Sequence, residues 1–276
     1  MKILATDLDR TLLPNGRWEP DDEAIGLFNT LTRQHDVLVV YVTGRNLALT
    51  EEAIAEFGVR YPDILCGDVG TSIRKRENGR WIPDDGWVSH VEEASPRWSA
   101  EAIREAVADV GGLREQESEH LNRFKQSYYV THETKDRVLQ AVDERVKGRF
   151  DEVTVYSFDS QDGKGLLDFL PASATKQTAL EYVARAHGVA KCDTVFCGDS
   201  GNDIFPLTAG FAGVLVRNAD QQLVASVRKA MAGDPALRVY FAKGGFRGLN
   251  GYYTSGVIEG ARHYGLFGDD PGQPPQ

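Results

Sequence analysis

Short apolar runs ending in Asp, Gly or Thr alternate along this chain with longer stretches of helical period, the pattern of a parallel sheet covered on both faces. The runs are Ile3 to Thr6, Val37 to Val42, Ile64 to Cys66, Thr194 to Cys197 and Val214 to Val216. Between the first two, Asp21 to Gln34 carries Ile25, Phe28 and Leu31 at helical spacing, and Asn46 to Phe57 puts Leu49, Ala53 and Phe57 on one stripe. Thr175 is placed to cap a helix with Leu180, Val183 and His187 on its apolar face, where His187 reads as a half-buried packing residue.

From Asp84 to Gly165 the rhythm changes. Two helical stretches, Ser99 to Val110 and Thr134 to Lys147, are each followed by strand-like text, Ser127 to Thr131 and Val153 to Phe158. That is an α+β pattern, unlike the alternation on either side. The expectation is an α/β protein: a doubly wound, Rossmann-like parallel-sheet core from 1–83 and 166–267, with an inserted α+β cap domain at 84–165. Residues 268–276 are Gly, Pro, Asp and Gln, lack the apolar side chains that offset ordering entropy, and are expected to form a flexible tail.

At 276 residues the chain can bury a sizeable core. Its formal charge of -10 opposes nucleic acid and anionic membrane surfaces, since no clustered Lys and Arg are present to neutralise them. The same charge repels an anionic small substrate, so any phosphate site must be made locally positive by a metal, a lysine or backbone N–H groups. Cys66, Cys192 and Cys197 form no C-x-x-C pair and sit in or near apolar segments, which predicts buried, reduced thiols in a cytoplasmic protein. No run of 18 apolar residues and no cationic segment leading into a long apolar one occurs, so the chain reads as unexported and without a membrane span. Trp18, Trp81, Trp87 and Trp98 read as packing or boundary residues.

The chemistry is concentrated at strand ends. Asp7-Leu8-Asp9-Arg10-Thr11 follows the first run, where an open α/β sheet presents its ligand groups. Two carboxylates spaced i, i+2 there can share a divalent metal and the work on a phosphoryl group. After the second run, Thr43-Gly44-Arg45 opens a helix, and its hydroxyl and N–H groups form an anion cradle. Lys176 lies near a helix N-terminus, the end that disfavours a cation, and a phosphate partner would remove the conflict. Last comes Gly198-Asp199-Ser200-Gly201-Asn202-Asp203, dense in the hard oxygen ligands that suit Mg²⁺.

Taken in order, these four motifs resemble the haloacid dehalogenase superfamily. The resemblance implies Asp7 as nucleophile, Asp9 as general acid and base, Lys176 as the charge-neutralising cation, and a phosphate site of Thr43, Gly44, Arg45, Lys176 and Asn202. It also implies Mg²⁺ held by Asp7, Asp9, Asp199 and Asp203. Within the superfamily the arrangement is similar to the sucrose-phosphate phosphatase group, whose members insert an α+β cap between the second and third motifs. Further likeness lies in Asn122 to Tyr129, Asp168 to Pro171, Gly213 to Ala219 and Gly251 to Gly260, and covers about residues 1–267. Arg10 departs from it, standing where that family commonly has Gly.

The resemblance implies a phosphatase acting on a sugar phosphate through an aspartyl phosphate, with a disaccharide phosphate such as sucrose 6-phosphate first and mannosylfructose or trehalose phosphates behind it. Glu117, Asn122 and Lys125 are the candidate sugar-binding residues of the cap. A phosphomutase on hexose phosphates is the rival enzyme, and a sugar-phosphate-binding regulatory module, partnered with a glycosyltransferase, is the non-catalytic alternative. The five motif residues Asp7, Asp9, Lys176, Asp199 and Asp203 argue against the module, because binding alone needs no nucleophile.

Overall fold

A computed structural model describes residues 1–159 and 163–267. In chain order its strands and helices are β1 (Lys2–Thr6), α1 (Ala24–Gln34), β2 (Val37–Val42), α2 (Leu47–Phe57), β3 (Ile64–Gly67), β4 (Ser72–Glu77), β5 (Arg80–Pro83) and α3 (Asp85–Ala94). Then come α4 (Ala100–Ala106), β6 (Leu113–Glu115), β7 (Gln126–Thr131), α5 (Lys135–Val146), β8 (Glu152–Asp159), β9 (Lys164–Pro171) and α6 (Lys176–Ala186). The chain continues through β10 (Thr194–Gly198), α7 (Ile204–Thr208), β11 (Ala212–Leu215), α8 (Gln221–Gly233), β12 (Arg238–Phe241) and α9 (Thr254–His263).

The large sheet has the order β12-β11-β10-β1-β2-β3-β4-β5. From β12 to β3 every pairing is parallel, and the β4–β5 hairpin extends the edge antiparallel. Alternation along β1 explains its place at the centre. Leu4 faces one apolar layer with Phe28, Ile54 and Ile258, while Ile3 and Ala5 face the other with Trp87, Leu180 and Phe196. Both faces are therefore covered by helices, which a fully parallel strand requires. Helix ends follow local chemistry: Asn46 accepts the Leu49 N–H at the start of α2, Gly58 closes it in a left-handed conformation, and Thr175 with Thr178 forms a capping box on α6.

A second, antiparallel sheet has the order β6-β7-β9-β8 and packs α4 and α5 on one face through Ile103, Val138, Val142, Leu167 and Phe169. The chain enters it after α3 and leaves it after β9. These bounds differ from the expected 84 and 165. Trp87 and Val91 of α3 pack in the core of the large sheet, and β9 pairs with β7 and β8 as far as Pro171. The hydrophobic pattern of β9 runs unbroken across the expected boundary, so the pairing of the strand, not its composition, decides where it belongs.

Two further expectations are corrected or left aside. Cys66 and Cys197 are buried, but Cys192 is exposed, because it sits in the turn before β10 rather than in the strand. The expected tail at 268–276 lies outside the described residues. Among the described residues no helix is long and apolar enough to cross a membrane.

Candidate active site

The C-terminal ends of the central strands converge on one spot. Past β1, the Asp7 N–H still donates to Cys197 O at 2.9 Å, so the ladder with β10 holds Asp7 beside the segment that carries Asp199. The chain then winds back, with the N–H groups of Thr11, Leu12 and Leu13 donating to Leu8 O. Gly198 is required at the end of β10. A Cβ there would meet Asp203 at 2.7 Å, and only its absence lets Asp203 fold back under the strand. Asp203 Oδ2 then accepts the N–H groups of Asp199 and Ser200.

Lys176, the first residue of α6, reaches into this cluster. Its Nζ lies 2.8 Å from Asp203 Oδ1, 3.1 Å from Asp7 Oδ1 and 3.3 Å from Asn202 Oδ1. Ligand oxygens of Asp7, Asp199 and Asp203 all lie within 4.8 Å of one another. Crowding into this buried site disfavours the charged forms of Asp7 and Asp199. Burial drives the Asp7 carboxyl up to about 7, against the pull of Lys176 and with the help of Asp203 and Asp9. Burial and Asp203 likewise push Asp199 well above the usual range. Burial opposes the charge on Lys176, but Asp203 and Asp7 outweigh it and hold the ammonium protonated.

This donor set fits a hard divalent cation. Three carboxylates share one point, and two cations, Lys176 and a more distant Arg10, leave them short of one positive charge. Asp203 is already committed to Lys176 and two N–H groups, which leaves Asp7 and Asp199 as the carboxylates best able to hold an ion.

Asp9 does not join the cluster. Its carboxylate receives Arg45 Nη2 at 2.7 Å and Nε at 2.9 Å, and Asn15 Nδ2 at 2.6 Å. Burial works against its charge, yet Arg45 prevails and the net shift is downward. Asp9, expected among the metal carboxylates, is placed by the structure on Arg45 and Asn15. The Arg45 guanidinium, expected at the phosphate, is directed to Asp9 and to Leu49 O.

Above the cluster lies a cavity of about 460 Å³ between the two sheets. Asp7, Asp9, Gly44, Arg45, Asn202 and Lys125 line it, as does Arg10. Thr43, Lys176, Asp199 and Asp203 lie buried behind this lining, with Thr43 Oγ1 accepting the Arg45 N–H. Two expected sugar-binding residues point elsewhere. Glu117 is exposed and accepts from Tyr129 Oη, and Asn122 donates to Thr71 Oγ1 across the junction between the sheets.

The cavity also takes Asn15, Gln116, His120 and Lys164, which lie outside every motif, and Tyr129 and Asp168, which lie in segments of family likeness but were given no role. Strand period is the signal that finds several of them. On β9, Leu167 and Phe169 enter the apolar layer, while Lys164, Leu166 and Asp168 face the cavity; on β7, Tyr128 and Val130 go inward and Tyr129 outward. Lys125 is buried, donates to His120 O at 3.1 Å and lies 3.7 Å from Asp168 Oδ1, itself hydrogen-bonded to Ser127. Four cations, Arg10, Arg45, Lys125 and Lys164, line the cavity with the three carboxylates Asp7, Asp9 and Asp168, so its walls escape the acidic excess of the chain as a whole.

Comparison with known proteins places this geometry. Residues 1–265 match the family model of sucrose-6F-phosphate phosphohydrolase. A HAD-like protein of Nitrosococcus oceani is 35% identical over 95% of this chain and 71% of its own length, and sucrose-phosphatase 1 of Nicotiana tabacum is 27% identical over 96% of this chain and 59% of its own. The chain thus spans little more than half the length of that plant relative. The structure of a Synechocystis sucrose-phosphatase, solved with sucrose and phosphate, superposes with a TM-score of 0.75 at 24% identity over 95% of this chain and 97% of that one, which shows a shared fold. The chain belongs to the sucrose-6F-phosphate phosphohydrolase family, phosphatases of the haloacid dehalogenase superfamily.

Proposed function

We propose that the protein is a magnesium-dependent phosphatase that hydrolyses a disaccharide phosphate, sucrose 6-phosphate first, through an aspartyl phosphate on Asp7. One observation carries this reading: the Asp7 carboxylate is held 3.1 Å from Lys176 in a buried acidic cluster, at the floor of a cavity roofed by polar residues of the second sheet.

Lys176 fixes Asp7 and cancels part of the charge that would turn a phosphate away. Asp7 and Asp199 would hold the magnesium ion, with Asp203 orienting Lys176 and the N–H groups behind them. When bound, the ion supplies the positive charge that neutralises the phosphoryl oxygens near Asp7. An Asp7 oxygen attacks phosphorus and the bond to the sugar oxygen breaks, that oxygen taking its proton from Asp9. Water then attacks the phosphorus of the aspartyl phosphate, giving a proton to Asp9, the bond from phosphorus to the Asp7 oxygen breaks, and inorganic phosphate leaves with the Asp7 carboxylate restored. Asp9 must leave Arg45 to carry the proton, since the guanidinium favours its charged form. The N–H groups that follow Thr43 and the Asn202 side chain are available to the remaining phosphate oxygens. The second sheet acts as the cap, offering Lys125, Asp168, Gln116, His120 and Tyr129 to the sugar.

The test is a phosphate-release screen with Mg²⁺ over sucrose 6-phosphate, mannosylfructose phosphate, trehalose 6-phosphate and hexose monophosphates. Release highest on a disaccharide phosphate, with no need for a bisphosphate, supports the reading. Phosphate returned to another sugar position under bisphosphate would make the protein a mutase instead.

A further inference from the structure

Arg10 is the fourth residue of the first motif and has φ +58°, a left-handed conformation that an arginine adopts only under constraint. Both ends of its peptide are clamped. Its N–H donates to Asn15 Oδ1 at 2.7 Å, and its carbonyl accepts from Asn218 Nδ2 at 2.6 Å. A glycine would take this backbone without strain, so the side chain has a use that offsets it.

The guanidinium supplies that use. Its Nε lies 3.5 Å from Asp199 Oδ2, while Thr11 donates to the other oxygen, Oδ1, at 2.8 Å. In the acidic cluster Lys176 contacts Asp7 and Asp203 but not Asp199. Arg10 is the cation that compensates the third carboxylate. Asp199 is 3% exposed, so without such a partner its charge would be buried against Asp203 and Asp7 alone.

We propose that Arg10 is a positioning residue for the metal centre: its guanidinium holds Asp199 in the metal-free protein and gives up that carboxylate as the cation binds, so Arg10 lowers and sets the metal affinity. The inference rests on reading the cluster as a magnesium site. It follows from the sign of the charges. A divalent ion and a guanidinium compete for one Asp199 oxygen, and the displaced guanidinium stays close enough to repel the ion through a medium of low dielectric. With Arg10 and Lys176 both present, three carboxylates and one Mg²⁺ leave the site with a net charge of about +1, which suits a phosphate.

Calorimetric titration of the metal-free full chain with MgCl₂ tests this directly, with wild type, R10Q, R10K and R10G. R10Q should bind Mg²⁺ about tenfold more tightly, the gain expected when one unit charge stops competing. R10K keeps the charge and should stay near the wild-type Kd. R10G should match R10Q in affinity and, relieved of the left-handed strain, melt higher in Mg²⁺, which guards against a folding artefact. An R10Q affinity within about threefold of wild type, or weaker, would overturn the inference. So would an R10K variant that binds like R10Q, or unchanged metal affinity paired with a raised KM, which would put Arg10 on a substrate anion. In these cases the magnesium reading survives. Absence of Mg²⁺ binding in all four proteins would overturn that reading as well.

Discussion

Arg45 grips Asp9 through two guanidinium nitrogens, at 2.7 and 2.9 Å, and thereby holds the second aspartate of the first motif outside the buried carboxylate cluster. The pair links the strand end after β1 to the loop after β2, so the first and second motifs are joined by charge-assisted hydrogen bonds. It also keeps the carboxyl of Asp9 below the usual carboxylate range.

Removing that grip has a signed consequence. If Asp9 acts as the acid, the alkaline limb of kcat/KM reports its proton loss. Arg45→Met takes away the cation that favours the charged form, so this limb should move to higher pH. A pH–rate profile on a sugar phosphate checks it, and an unmoved limb would mean that another group supplies the proton.

Asp7→Asn keeps shape and removes the anionic nucleophile. Turnover should drop by roughly a thousandfold or more while the fold survives. Rates within about tenfold of the parent would end the covalent mechanism.

Proton release should accompany metal binding. The Asp7 carboxyl, raised to about 7 by burial, must lose its proton to serve as a ligand. Titration with Mg²⁺ at pH 6 in buffers of different ionisation enthalpy should therefore show release of about one proton, and at pH 8 far less. Stability of the metal-free protein should run the opposite way from a salt-bridged aspartate. A carboxyl that binds its proton more tightly when folded than unfolded adds stability as pH falls through its folded pKa, so Asp7 should raise Tm on acidification from about pH 8 to 6, and Asp199 acts in the same direction. A metal-free Tm that falls over this range would contradict the burial of these charges.

Lys176→Ala should cost stability as well as activity. Its ammonium is 2% exposed and pairs with two buried carboxylates, so its loss leaves both without a cation. Breaking a buried pair from one side costs about 3–5 kcal/mol, a Tm loss on the order of 10 °C for a chain of this size. Calorimetry of the metal-free variant measures it, and a loss under about 2 °C would mean water reaches the cluster.

Lys125→Ala separates substrate reading from chemistry. The lysine lies under the second sheet beside Asp168, away from the acidic cluster. If these groups meet sugar hydroxyls, kcat/KM for the disaccharide phosphate should fall by about 1–3 kcal/mol, with p-nitrophenyl phosphate much less affected. Equal losses on both would assign Lys125 to the fold.

The text of the chain determined the parallel core, through apolar runs of strand length between stretches of helical period, and it set Asp7 and Asp199 just past strand ends and Lys176 at a helix start. It also determined that something of α+β character interrupts the core. What only the tertiary structure decided is which charges meet. Lys176 and Asp7 are far apart in sequence, as are Arg45 and Asp9, and the strand order brought each pair within reach. Asn122 and Glu117 failed as cavity residues for the same reason, since a polar side chain carries no record of its direction. β9 was lost to the expected boundary because hydrophobic alternation tells a strand from a helix but not one sheet from another, and pairing partners are chosen by packing across the whole molecule.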